Sequence, residues 1–249
     1  MVRGTGTLLN MAAILVGSGL GVLLGARLPE RTRITVTDAL GLVTLVIGTL
    51  NIASLSEASF VEAVGASGTL LVVLGALLIG GITGSLLKLE LRLEQAGGWL
   101  QKRLAGPGGG SEGRARFVEG YVSASLIFVI GPLAVLGSLS DGLGRGMDQL
   151  ALKSTLDGFA ALAFAASLGW GVAAAALSVG VVQGALTLLG ALLGSLLPAA
   201  LIAAVTATGG VLLLGVGLRL LNLKAVAVGD LLPALLVAPL LTALVDLAR

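Results

Sequence analysis

The feature that most constrains this chain is its repetition of long apolar runs, from Leu8–Leu24 near the start to Leu231–Leu247 near the end. Roughly 20 apolar residues in a helix cross the ~30 Å hydrocarbon core of a bilayer. Transmembrane β-strands would instead appear as alternating segments of about ten residues, so a β-barrel is excluded. Composition agrees. Of 249 residues 56% are hydrophobic and 11% charged, with a mean hydropathy of +1.07. A soluble domain carries about 25% charged residues, so a normal water-facing surface cannot be built. The expectation is an all-α polytopic membrane protein forming a single membrane domain over residues 1–249.

Other classes drop out for chemical reasons. With no Cys and no His, the chain lacks disulfides, thiolate chemistry, imidazole acid–base catalysis and the usual zinc sites. No phosphate-binding glycine loop is present, and no nucleophile–base pair can be nominated, so no enzyme activity, cofactor or metal is expected. The net charge of +2 is small and the basic residues sit at helix ends, so nucleic acid is not a partner. Arg27, Arg31 and Arg33 follow the first apolar run, which favours a retained first helix over a cleaved signal peptide.

Eight spans can be drawn. The first three are Thr7–Ala26, Val36–Leu55 (opening at Thr37-Asp38 as an N-cap) and Ser67–Leu87. Lys88–Leu104 is different: leucines recur at helical spacing among charged residues, with Trp99 as an anchor. It reads as a cytoplasmic helix lying in the membrane interface, weakened or broken at Gly97-Gly98. Gly106–Ser111 is a flexible linker, part of a linking segment over residues 105–116. The remaining spans are Phe117–Leu139, interrupted at Gly131-Pro132, then Ala151–Leu177, Ser178–Leu197, Ala200–Leu221 and Leu231–Leu247. Asp141, Arg145 and Asp148 occupy a glycine-rich loop.

With eight spans, Arg27, Arg31, Arg33, Lys88, Arg92, Lys102, Arg103, Arg114, Arg116, Arg219 and Lys224 fall on one side, against Arg3, Arg145, Lys153 and Arg249 on the other. The positive-inside rule then places both termini outside.

Spans one to three and six to eight share a layout. Asn10, Gly17 and Gly21 repeat as Gln183, Gly190 and Gly194. Gly41 and Gly48 repeat as Gly210 and Gly217, and Gly75–Gly81 repeats as Pro233–Pro239. The two triplets differ in parity, so they would form an inverted 3+3 repeat (residues 7–87 and 178–247), a pattern of secondary transporters. The plainer reading is that Leu/Ala/Gly helices align easily. Gly17, Gly21 and Gly25 also form a small-residue ridge suited to close helix packing, as do Gly190 and Gly194.

The chemistry concentrates in Lys153-Ser154-Thr155-Leu156-Asp157-Gly158, within the central segment 117–177. An ionisable group at membrane depth costs about 2.5–3.5 kcal/mol on insertion scales. Lys153 and Asp157 stand at i and i+4, so they can pair on one helix face. Asp157 is the candidate cation- or proton-binding group and Lys153 its partner. The competing reading is a lysine snorkelling to the interface beside a structural aspartate. Asp141 either folds back toward the same place or is an ordinary turn aspartate. Asn10, Asn51 and Gln183 could line a polar path or act as interhelical glue. Ser123, Ser125, Ser154 and Thr155 could supply oxygen ligands to Na⁺, or return their hydroxyls to the helix backbone. Arg219, Asn222 and Lys224 mark a span end, and Asp230 reads as a cap.

Five stretches carry a resemblance: Gly4–Asn10, Arg116–Gly120, Gly137–Leu143, Lys153–Gly158 and Gly229–Leu235. Together and in this order, the sequence resembles the YdfK/YqgA-like bacterial membrane proteins, a domain-of-unknown-function family. The family pattern prefers Asn where this chain has Asp230, which argues against a special role for that carboxylate. The resemblance implies a transport protein of the bacterial inner membrane with no settled substrate, and its polar motifs coincide with Asp141, Lys153 and Asp157.

The reading reached is a transporter or channel for a small ion or solute, as a homodimer in the bilayer, binding a small cation or proton at Asp157, Lys153, Asp141, Ser154, Asn10 and Gln183. The alternative is a non-transporting scaffold or lipid-organising protein acting through the Lys88–Leu104 helix; an intramembrane enzyme has the least support.

Overall fold

The computed structural model describes residues 3–27, 29–104, 111–129, 132–144, 146–193 and 198–248. Most of the Gly106–Ser111 linker lies outside the described residues, as do Gly131, Arg145, Gly194 and Arg249. Every regular element among the described residues is a helix: α1 (Thr5–Gly25), α2 (Glu30–Ile52, running on as a 3-10 turn to Ser56), α3 (Ala58–Val64), α4 (Ala66–Leu86), α5 (Leu89–Leu104), α6 (Ser111–Val129), α7 (Pro132–Gly142), α8 (Asp148–Leu168), α9 (Gly171–Leu193), α10 (Ala199–Leu220), α11 (Val228–Leu231) and α12 (Ala234–Ala248).

Six helical stretches are long and apolar enough to cross a membrane: Thr5–Gly25, Glu30–Ser56, Ala66–Leu86, Gly171–Leu192, Ala199–Leu220 and Val228–Ala248. The pair α6–α7, bent by 64°, makes a seventh if it is one span. Helix α8 is long enough at 21 residues, but Lys153 and Asp157 make it too polar for that set.

Local chemistry shifts two helix boundaries from those read in the sequence. Helix α2 opens at Glu30, not at Thr37-Asp38, because Pro29 sets the first turn and accepts the Thr32 amide. Thr37 is therefore interior to the helix and pairs with the Ser167 hydroxyl. The break between α8 and α9 falls at Gly169-Trp170, before the boundary expected after Leu177. Gly169 has φ +78° and its amide closes on the Ala165 carbonyl, a conformation that favours glycine. Helix α5 runs unbroken through Gly97-Gly98.

The chain divides into two compact units. The first comprises residues 1–40, 94–129 and 133–195. In it α1 lies along α8 in the same direction. A Cβ at Gly17, Gly21 or Gly25 would collide with the carbonyls of Gly158, Leu162 and Ala166 in turn, so these backbones touch at every fourth residue. Helix α9 runs against α1, with Gly180 beside Met11 and Thr187 beside Thr7. Phe128 and Phe164 pack edge to face, centroids 6.4 Å apart.

The second unit comprises residues 41–93, 130–132 and 196–249. Phe60 is fully buried among Ala63, Val72, Ala76, Ala204 and Ala234. Here α2 and α10 meet in opposite directions through reciprocal glycines. A Cβ on Gly48 would come within 2.8 Å of the Gly210 carbonyl, and one on Gly210 within 2.7 Å of the Gly48 carbonyl; one on Gly217 would lie 3.1 Å from the Gly41 carbonyl. Helices α4 and α12 are likewise opposed, Gly80 against Ala234 and Gly75 against Leu241.

Candidate functional site

Lys153 and Asp157 lie on the buried face of α8, with Leu150, Ser154 and Ala161. The four-residue spacing puts both groups on that face, and the glycine ridge of α1 lets it close over them. They are 6% and 7% exposed, which excludes a lysine reaching out to the interface. Lys153 Nζ lies 2.5 Å from Asp157 Oδ2. Asn10 on α1 donates through Nδ2 to the same oxygen at 2.9 Å, and to Gln183 Oε1 on α9 at 3.3 Å. Asn10 thus links the carboxylate on α8 to Gln183 on α9.

The orientation of these amides follows from the carboxylate. An ionised carboxylate only accepts, so Asn10 must turn its NH₂ toward Asp157, and Gln183 must then offer its oxygen. Both side chains are fully buried, yet Asn10 Oδ1 and Gln183 Nε2 have no hydrogen-bond partner among the described residues. An unmet buried polar atom costs about 1–3 kcal/mol. One acceptor and one donor are therefore held ready beside the ion pair.

One turn from these amides on each helix, Thr7 and Thr187 bring their hydroxyls to 3.3 Å. Both line a groove of about 530 Å³ between α1 and α9, together with Arg3, Met11, Gly180 and Gly184. Sequence reasoning passed over this threonine pair. The available signal was spacing: Thr7 is three residues from Asn10, and Thr187 four from Gln183.

The other expected residues fall elsewhere. Asp141 is buried at the end of α7, and its Oδ2 accepts the amides of Gly4 and Gly6 at 3.1 Å each. It therefore caps the start of α1 from another helix and does not join Asp157. Ser154 returns its hydroxyl to the Leu150 carbonyl at 2.6 Å, and Thr155 to Ala151 at 3.1 Å. Ser125 donates to Ser178, which donates to Tyr121, a link between α6 and α9. Ser123 is buried without a partner among the described residues. Asn51 is half-buried near the end of α2, in the second unit.

The second unit holds its own ion pair, also unforeseen. Glu90, at the start of α5, pairs through Oε1 with Arg219 Nη1. Its Oε2 accepts the Gly229 amide at 2.6 Å, while Asp230 Oδ1 accepts the Glu90 amide at 2.9 Å. Asp230 is thus a cap, but of α5 and not of the helix that follows it. Arg219 does end α10, as expected, and is tied there to Glu90.

Comparison with known proteins places the chain in a family. A profile described as "Protein of unknown function (DUF554)" matches residues 5–243. The chain belongs to the DUF554 family. It is 32% identical over 219 residues to "Uncharacterized protein YqgA" of Escherichia coli (strain K12), covering 88% of each chain. It is 27% identical over 220 residues to "Uncharacterized membrane protein YdfK" of Bacillus subtilis (strain 168), covering 88% of this chain and 87% of that one. No solved structure matches. The family range takes in all of the Lys153–Asp157–Asn10–Gln183 cluster.

Proposed function

We propose that this protein is a transporter or channel for a small ion or solute in the bacterial inner membrane, with Asp157 as the group whose charge governs passage. The observation that carries the reading is the buried Lys153–Asp157 pair flanked by the unmet Asn10 Oδ1 and Gln183 Nε2. A purely structural polar cluster is usually satisfied, whereas ionisable groups at membrane depth mark ion and proton pathways.

The proposed architecture has eight crossings. Helix α8 runs parallel to α1 with contacts from Gly6–Leu150 to Gly25–Ala166; nineteen residues of α1 are about 28 Å of helix. If α1 spans the bilayer, so does α8. Helix α9 opposes α1, α10 opposes α2, and α12 opposes α4, the directions that eight alternating crossings require. The Gly48–Gly210 contact is mirrored by Gly217–Gly41, which is what an inverted repeat matching Gly41 to Gly210 and Gly48 to Gly217 predicts. On this reading both termini lie outside and α5 is cytoplasmic. The homodimer remains part of the proposal, supported by the large exposed apolar surface of α1, including Leu8, Val16 and Leu23.

The test is flux. Purified protein in liposomes carrying internal pH-, Na⁺- and K⁺-sensitive dyes is given inward gradients of Na⁺, K⁺ and protons in turn, and compared with Asp157→Asn. The reading expects at least one gradient to dissipate faster than in protein-free liposomes and Asp157→Asn to remove the difference. Equal flux in both proteins takes Asp157 out of the mechanism; no flux above background for any ion favours the scaffold alternative.

A further inference from the structure

The transport reading leaves open what Asp157 exchanges, and the arrangement around it narrows the choice. A hard metal cation needs a shell of about six oxygen acceptors. The groups around Asp157 fall short of that: Lys153 Nζ and Asn10 Nδ2 both donate to Oδ2, the nearby unmet atom of Gln183 is also a donor, and the one unmet amide acceptor is Asn10 Oδ1. Ser154 and Thr155, the hydroxyls that could complete a metal shell, donate to their own helix. No group of three or more acidic, His or Cys residues able to hold a metal ion occurs among the described residues.

Those groups suit water and a proton. A buried water needs two to four polar partners. Asn10 Oδ1 can accept from it and Gln183 Nε2 can donate to it. Asp157 Oδ1, which bears no hydrogen bond among the described residues, can take a proton. One turn away, the Thr7 and Thr187 hydroxyls can each donate and accept, and they face the groove between α1 and α9.

We propose that Asp157 exchanges a proton, delivered through water held by the Asn10–Gln183 amides and past the Thr7–Thr187 hydroxyls from that groove. The proposal rests on the transport reading. A hydronium ion in the groove gives up its proton along the water and hydroxyl chain. The last water forms the new O–H bond on Asp157 Oδ1 and regains a proton from the donor behind it. The carboxylate becomes a carboxylic acid, and the net charge of the pair rises from zero to one, carried by the Lys153 ammonium.

One charged residue, Arg3, lines the groove at its mouth. Helices α1 and α9 contain no charged residue, and the other acid of α8, Asp148, stands at its first turn, nine residues before Asp157. Asp141 on α7 is held by the Gly4 and Gly6 amides. The charged residues of α6 precede Gly120, which packs at Leu168, eleven residues along α8 from Asp157 and about 16 Å away.

The absence of native cysteine allows a clean test. Thr187→Cys in intact vesicles is treated with a charged, membrane-impermeant methanethiosulfonate, with Val181→Cys on the apolar face of α9 as the comparison. Thr187→Val is assayed in liposomes with an internal pH dye, with its melting temperature checked and Thr155→Ala as a control outside the route. The proposal expects labelling at 187 and not at 181, proton flux lowered about tenfold or more by Thr187→Val, and flux unchanged by Thr155→Ala. An unlabelled Cys at position 187, or a folded Thr187→Val with full proton flux, overturns the route. Asp157-dependent Na⁺ or K⁺ flux with no change in internal pH overturns the proton while leaving transport intact. Loss of all Asp157-dependent flux removes the transport reading, and the proton proposal with it.

Discussion

The Lys153–Asp157 and Glu90–Arg219 pairs are made of the same kinds of groups, and they differ in how their remaining hydrogen-bonding capacity is used. Glu90 sits at a helix start. Both of its carboxylate oxygens are engaged, one by Arg219 and one by the Gly229 amide, and its own amide is met by Asp230. Asp157 lies well inside an apolar helix; two donors crowd one of its oxygens, and unmet amide atoms lie nearby. In the first arrangement every polar group named has a partner. The second carries a desolvation cost with donors and acceptors left over, and on that difference the proposed role of Asp157 rests.

The largest effect should come from breaking the Asp157 pair on one side only. Lys153→Met leaves a buried carboxylate without its cation, a loss of about 3–5 kcal/mol, seen as a lowered melting temperature in detergent. The double variant Lys153→Met/Asp157→Leu should recover most of that loss, because it removes both charges together. If the single and double variants melt alike, the pair is not a coupled buried unit.

A smaller effect is expected from the packing that assembles the site. In Gly21→Leu the new side chain meets the Leu162 carbonyl, and forcing α1 off α8 should cost about 1–3 kcal/mol. Asn10 would then draw away from Asp157, so flux should fall with stability. Unchanged melting would mean that α1 and α8 do not touch as described.

The smallest effects belong to the clasp in the second unit. Asp230→Ala removes the acceptor for the Glu90 amide and should cost about 1 kcal/mol. Asp230→Asn keeps an oxygen there and should be close to neutral by melting. A large penalty for the asparagine would show that the charge itself matters, and would narrow the contrast between the two pairs.

Much of this was legible in the letters. The apolar runs located the six helices long and apolar enough to cross a membrane, and the cost of charge singled out Lys153 and Asp157. The glycine ridge at Gly17, Gly21 and Gly25 announced a close contact by its four-residue spacing. What could not be read was the partner of each group. That Asn10 and Gln183 meet over Asp157, or that Glu90 reaches Arg219, depends on which helices are neighbours, and helix spacing does not encode that. The same holds for two aspartates: Asp230 caps a helix distant in sequence and not the one that follows it, and Asp141, a turn aspartate or a partner of Asp157 by its sequence, caps the start of α1. The Gly169 break was missed because glycine is common here and only its left-handed backbone distinguishes it.

The most direct test of the account uses the charge-free double variant Lys153→Met/Asp157→Leu, once its melting shows that it folds. Reconstituted in liposomes under an inward proton gradient, it should leave the internal pH as steady as protein-free liposomes do, while the native chain dissipates the gradient. Native-level proton flux from this folded variant would contradict the claim that the buried pair governs passage.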